Sequence, residues 1–388
     1  GWKVRVLESA SRPGGKAGIE LLDGVEVDTG PSVLTMPHVF ARLLGMAGMQ
    51  LDDVLTLRKP DPGFRYLFPD GVAHDVHFEP EDARASVRAT LGPAAADELR
   101  SFLRYAGGIW EAAAPAFVYG PAPRIGSILG GGLRLWSQVA QIDPLSSMWG
   151  AVKKRVRSPH LRMLLARYAT YNGSDVRQAP ATLNCISHVE LAQGGYGVEG
   201  GMYNLVRALV AAAERVGVTI DTDTRVERVL VTRYGIEGVI VDGGRQLTAP
   251  CVVANADVSH LVRDLLPREI DHDLKATSEP SMSAVNVIVK AAAMERAAHT
   301  VVFPNDYLQE FADIFDRDRP PQEPTVYVCA QSRCHGREGW PQHEPLFVMA
   351  NAPAEPELGH RDVSMWRGLE TVALARLRSH GILAADDE

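Results

Sequence analysis

The sequence predicts an α/β protein with a dinucleotide-type sheet. The apolar residues Val4, Val6 and Leu7 form a short strand that ends in an acid, Glu8, and passes into the turn-forming stretch 9–18. In dinucleotide folds an acid at the end of a strand meets ribose hydroxyls, and a Gly-rich turn meets pyrophosphate. Residues 190–260 alternate helical and strand patterns, as such a sheet with its covering helices would. Hydrophobic residues are 46% of the 388, enough for a large core and two or three domains.

The elements follow in order. The strand at 4–7 and its acid are the signal; an ordinary surface strand can end the same way, and Gly14-Gly15 can be a plain turn. Residues 1–18 hold no G-x-G-x-x-G turn. Phe40, Leu43, Leu44 and Ala47 have helical spacing and predict a helix over 38–49. Pro69-Asp70-Gly71 supplies a turn between apolar runs at 64–68 and 72–78, which predicts a hairpin. Helices are expected over 80–90 and 94–114. An amphipathic helix is expected over 203–216, with Leu205, Val206, Leu209, Val210, Ala213 and Val216 on one side, ended by Gly217. A buried strand should follow at 218–220. Residues 224–229 alternate as a half-buried strand, and 229–231 with 239–241 read as a hairpin. Residues 251–257 read as a buried strand running into a loop.

Composition excludes several functions. Lys plus Arg total 40 against 48 Asp plus Glu, a net charge of −8, which disfavours nucleic acid as a partner. Cys185, Cys251, Cys329 and Cys334 are too few and too scattered for a disulfide scaffold, and suit a reducing cytosol. No CxxC pair or three-ligand spacing points to zinc, so no metal is expected. Cys334-His335 reads as an ordinary thiol beside a histidine. His74 and His77 read as strand or loop residues. No nucleophile elbow or phosphate-binding P-loop is present. Residues 125–149 are rich in Gly, Leu, Ile and Trp and precede Lys153-Lys154-Arg155. That pattern fits a membrane-surface contact, and equally a core helix followed by a solvated basic face.

Taken together, Glu8, Arg12-Pro13-Gly14-Gly15-Lys16 and Val27-Asp28-Thr29-Gly30-Pro31 resemble the second strand and GG loop of FAD-dependent amine oxidases and phytoene desaturases. Ser32-Val33-Leu34-Thr35-Met36-Pro37, Arg167 to Ser174 with Ala179-Pro180-Ala181-Thr182, and Gly200-Gly201-Met202 resemble bacterial carotenoid desaturases. The segments around His299 to Phe315 and Thr325 to Gln331 resemble the 1-hydroxycarotenoid 3,4-desaturase branch, also called methoxyneurosporene dehydrogenase.

The resemblance implies a Rossmann-like FAD domain at 1–60 and 190–265, incomplete because its first strand and G-x-G-x-x-G turn are missing. A mixed α+β substrate and membrane-associated domain at 61–189 and 266–388 is inserted into it. The chain is thus expected to be a piece of a longer reading frame. It also implies the cofactor FAD, with Glu8 on the adenosine ribose and Arg12, Gly14, Gly15 and Lys16 along the phosphate and flavin side. The backbone of Val226 would hold the adenine, and the loop carrying Asp257 would approach the flavin. The expected reaction is 3,4-desaturation of a linear 1-hydroxycarotenoid, by loss of a hydride to the flavin and of a proton from the neighbouring carbon. No proton acceptor is identified. The expected place is the cytoplasm, peripheral on the inner face of the membrane. Phytoene desaturation, carotene isomerisation, a remnant that binds carotenoid without flavin, and oxidation of a polar amine are the rival readings.

Overall fold

A computed structural model describes residues 1–120, 142–267, 281–355 and 361–387. Along the chain the strands are β1 (Arg5–Leu7), β2 (Ile19–Leu22), β3 (Val25–Asp28), β4 (Leu57–Arg58), β5 (Phe64–Leu67), β6 (Ala73–Val76), β7 (Gly197–Val198) and β8 (Thr219–Asp221). They continue as β9 (Val226–Thr232), β10 (Gly235–Val241), β11 (Arg245–Thr248), β12 (Ser283–Ala292), β13 (His299–Val302), β14 (Val326–Ala330) and β15 (His343–Ala352). The fold mixes strands and helices throughout, an α/β architecture.

Among the described residues, β1 and β8 pair in parallel, Val6 opposite Ile220. Near them β9, β10 and β11 form an antiparallel sheet in the order β11-β10-β9. The hairpin expected at 229–241 is β9–β10, with Val229 opposite Val239. The largest sheet has the order β12-β15-β14-β13-β5-β6, so the β5–β6 hairpin around Pro69-Asp70-Gly71 joins strands from the last quarter of the chain. Its β13–β5 pair is parallel and the others are antiparallel. The core beneath this sheet joins Phe64, Tyr66 and Phe68 to Phe102, Leu161, Leu165, Tyr168, Phe303 and Phe311.

The helix expected over 38–49 is Pro37–Met46, opened by a proline whose missing N–H costs nothing in the first turn. The next two are Pro80–Thr90 and Pro93–Ala113. The 203–216 helix is Tyr203–Arg215, and Gly217 follows at φ +86. Its buried face is Leu205, Ala208 and Ala212 with Leu209 half-buried, whereas Val216 is exposed.

Two expectations are corrected. The strand at 218–220 is β8, and it is half-buried to exposed; among the described residues it pairs with β1 alone. Residues 251–257 are not a strand. No described segment pairs with them, and Val253 is 89% exposed. An apolar run alone does not make a strand; its N–H and C=O groups need a neighbour. Of the apolar stretch 125–149, residues 125–141 lie outside the described residues. The remainder leads into the helix Met148–Arg155, where Met148 and Val152 are buried and Lys153 and Lys154 point outward. The guanidinium of Arg155 stacks 3.6 Å from the Tyr105 ring and bridges to Asp143 at 3.5 Å.

Candidate functional site

The backbone of Glu8 is held on both sides. Its N–H donates to the Asp221 carbonyl at 2.8 Å, and its carbonyl accepts from Thr224 N–H at 2.8 Å. The parallel β1–β8 pair therefore carries Glu8 to the start of β9, two residues before Val226. The side chain stays at the surface, where Oε1 accepts the Ala10 N–H at 2.8 Å. An exposed carboxylate on a fixed backbone is free to accept hydrogen bonds from a diol.

The loop after Glu8 is fastened by three attachments. Tyr203 Oη donates to the Pro13 carbonyl at 2.8 Å, Ala17 N–H closes a turn on the Gly14 carbonyl at 3.0 Å, and Thr29 N–H reaches Gly18 at 3.1 Å. Gly14 sits at φ +130 with its Cα packed between Ala17 and the Tyr203 ring, so a side chain has neither the dihedral nor the room. Gly15, at φ +55, faces open space. Gly30 lies so close beneath the loop that a Cβ there would collide with the Lys16 carbonyl.

Asp28 explains the Asp-x-Gly-Pro string. Its buried carboxylate accepts N–H bonds from Met202 (2.9 Å) and Tyr203 (3.0 Å), the first turn of the Tyr203–Arg215 helix. An anion there is favoured by the helix dipole and by otherwise unpaired N–H groups. Arg337 Nη2 adds an ion pair at 3.1 Å, and the Gln331 side chain clasps the Asp28 backbone with two bonds of 2.9 Å. Gly201 is glycine because a Cβ would strike Arg337.

Val226 is half-buried on β9, the edge of its sheet, in register with Val241. Asp257 is exposed. Its carboxyl lies below the usual carboxylate range because it accepts the Ser259 and His260 N–H bonds, with a smaller contribution from the Lys16 charge. The fold thus joins Glu8 to the lead-in of Val226 through backbone bonds. Arg12 lines a hollow of about 450 Å³ with Pro13, Tyr203, Val206, Arg207 and Glu214.

Other clusters carry no compact sequence signal. Gly195-Tyr196-Gly197-Val198-Glu199-Gly200 has the G-x-G-x-x-G spacing, and packing accounts for its first two glycines. Gly195 lies against Phe78 and Val33, and Gly197 lies against the Cys334 carbonyl. The Arg167 guanidinium is buried about 5 Å from the rings of Phe64, Tyr66, Tyr168 and Tyr171. It pairs with the buried Glu190 at 3.1 Å, and Tyr168 Oη donates to the same carboxylate at 2.7 Å. Burial holds the Tyr66 and Tyr168 phenols well above their ordinary range, so they remain donors.

Glu8 leads directly into the glycine loop that carries Lys16, so an acid acceptor, a cation and a glycine turn lie on one short stretch of chain. The family described as flavin-containing amine oxidoreductase matches residues 1–326. A hydroxyneurosporene desaturase of Rubrivivax gelatinosus is 34% identical over 392 residues, covering 98% of this chain and 74% of that protein. A 4,4'-diaponeurosporene oxygenase of Staphylococcus aureus is 26% identical over 393 residues, covering 98% and 78%. Among solved structures, an oxidoreductase from Methanosarcina mazei matches with a TM-score of 0.60 at 15% identity, over 97% of this chain and 78% of its own. Putrescine oxidase matches at 0.54 and 14%, over 96% and 75%.

Proposed function

This chain belongs to the flavin-containing amine oxidoreductase family, and on that premise we propose that it performs FAD-dependent desaturation of a linear carotenoid, 3,4-desaturation of a 1-hydroxycarotenoid. The observation that carries this is the 34% identity to a hydroxyneurosporene desaturase along 98% of the chain. The amine-oxidase reading is supported more weakly, because the putrescine oxidase likeness at 14% identity speaks for the fold alone.

The residues fit an FAD dinucleotide. Glu8 offers an exposed carboxylate for the ribose hydroxyls, Gly15 leaves the loop open, and Lys16 brings a positive charge for phosphate. The backbone of Val226 and the loop at Asp257 flank this region. Arg12 precedes the same loop and adds a second positive charge for the phosphates. FAD, when bound, supplies the hydride acceptor that side chains lack. In this assignment residues 1–60 and 190–265 form the cofactor domain, and the six-stranded sheet with its helices forms the substrate domain. Asp28 holds the GG loop and the 203–215 helix in fixed relation, so it positions the cofactor side without touching it.

A carotenoid dissolves in lipid, so an enzyme that acts on it needs an apolar face toward that lipid. Val39, Leu43 and Met46 share one face of the Pro37–Met46 helix and are 37%, 47% and 77% exposed. Tyr119, itself half exposed, bonds to His38 of that helix at 3.0 Å. This apolar patch supports peripheral contact with a membrane. No helix among the described residues is long and apolar enough to cross one.

The test is turnover of a 1-hydroxylated linear carotenoid in liposomes by the purified protein with FAD. A product lighter by two hydrogens is the expected result. A gain of oxygen would instead favour the oxygenase chemistry named for the Staphylococcus relative. An isomer of unchanged mass would overturn desaturation.

A further inference from the structure

We propose that His299, Cys329 and Cys334 form a buried binding site for a thiophilic divalent cation, with zinc as its natural probe. The three ligand atoms lie within 4.8 Å of one another, and all three residues are buried. The topology explains how they meet. His299 on β13 is directly opposite Cys329 on the antiparallel β14, so both side chains leave the same face of the sheet. The chain then turns into the short helix Gln331–His335, which folds Cys334 back until its Sγ is 3.3 Å from His299 Nε2.

The surroundings suit a metal more than a free dithiol. Tyr327, two residues before Cys329 on the same face, bonds His299 Nδ1 through its Oη at 2.8 Å. That bond occupies one ring nitrogen and leaves Nε2 aimed at the thiols, the usual outer support of a ligating histidine. His335 Nδ1 accepts the Val198 N–H at 3.1 Å, so its neutral ring carries the proton on Nε2. That Nε2 is buried and has no hydrogen-bond partner among the described residues. The Ser32 carbonyl oxygen borders the site and accepts from the Cys334 thiol at 3.5 Å. The pocket wall is apolar, with Ala298 and Phe347 buried and Ile288 and Met349 packed against them.

Charge balance selects the metal. Binding displaces one proton from each thiol to solvent, and two thiolates with a neutral imidazole neutralise a 2+ ion. A neutral complex can be buried among apolar groups without the cost of an isolated charge. Its consequence is a clip: it fastens β13, β14 and the 331–335 helix to one another.

The experiment is metal analysis of protein purified from zinc-supplemented culture, without chelator. One zinc per chain is expected, with X-ray absorption at the zinc edge giving sulfur ligands at about 2.3 Å and a nitrogen at about 2.0 Å. Cys329→Ser should lose the zinc, while Cys251→Ser, which alters an exposed thiol elsewhere, should keep it. Zinc well below one equivalent, ligation by oxygen and nitrogen only, retention by Cys329→Ser, or a Cys329–Cys334 disulfide in the purified protein would each overturn the site. If Cys329→Ser does not fold, the ligand set of the unaltered protein decides.

Discussion

Replacing Asp28 by Asn would take from the buried Arg337 its nearer carboxylate, leaving Glu26 at 3.8 Å, and would remove an acceptor from the first turn of the 203–215 helix. Breaking one partner of a buried pair costs about 3–5 kcal/mol. Urea unfolding of Asp28→Asn should show a loss of that size; a change under about 1 kcal/mol would mean the carboxylate is replaceable. Glu8 behaves oppositely, because its backbone is fixed and its carboxylate lies at the surface. Glu8→Gln should leave the unfolding midpoint where it is and weaken FAD binding by about 1.5–3 kcal/mol, the worth of charged hydrogen bonds. Flavin fluorescence titration measures this, and unchanged affinity would remove Glu8 from the cofactor site. Glu8 was legible in the sequence because acid and strand are adjacent. The Asp28–Arg337 pair was not, since 309 residues separate its members.

Among elements, the GG loop depends on close backbone approach. Gly30→Ala would push a methyl into the Lys16 carbonyl and within 2.9 Å of Ala17 Cα, so the loop must shift. Both the melting temperature and FAD affinity should fall together. Gly45→Ala is the contrast: it lies in the Pro37–Met46 helix with open space around it, and should gain up to about 1 kcal/mol from helix propensity. If Gly30→Ala were equally harmless, the loop would not be held by that contact. Helices and hairpins were readable at this scale because 3.6-residue and two-residue periods are local. The 251–257 segment misled, since an apolar run carries no information about whether a neighbouring strand exists.

The whole molecule is held together by ties between distant segments, and Glu310 shows how pH enters. Its buried carboxylate, in the helix Tyr307–Phe311, accepts bonds from Thr325 N–H and Asn351 Nδ2, both at 3.1 Å, and from the Thr325 hydroxyl. Burial pushes its carboxyl up to about 7, against the hydrogen bonds that favour the charged form. A folded value above the unfolded one means stability that is complete at low pH and fades as pH rises through about 7. The stability of the natural chain relative to Glu310→Gln should therefore fall between about pH 5 and about pH 8, as read from urea midpoints. A constant difference would show that Glu310 does not titrate there. By itself the sequence determined the strand ending in Glu8, the glycine loop, the main helices, the two hairpins and the resemblance to carotenoid desaturases, because each resides in a short contiguous string. Tertiary structure alone decided the Arg167–Glu190 pair, the capping of the 203–215 helix by Asp28, and the meeting of His299 with Cys329 and Cys334. Those depend on β13–β14 register and long-range packing, where contact is set by the path of the backbone through space and not by separation along the chain.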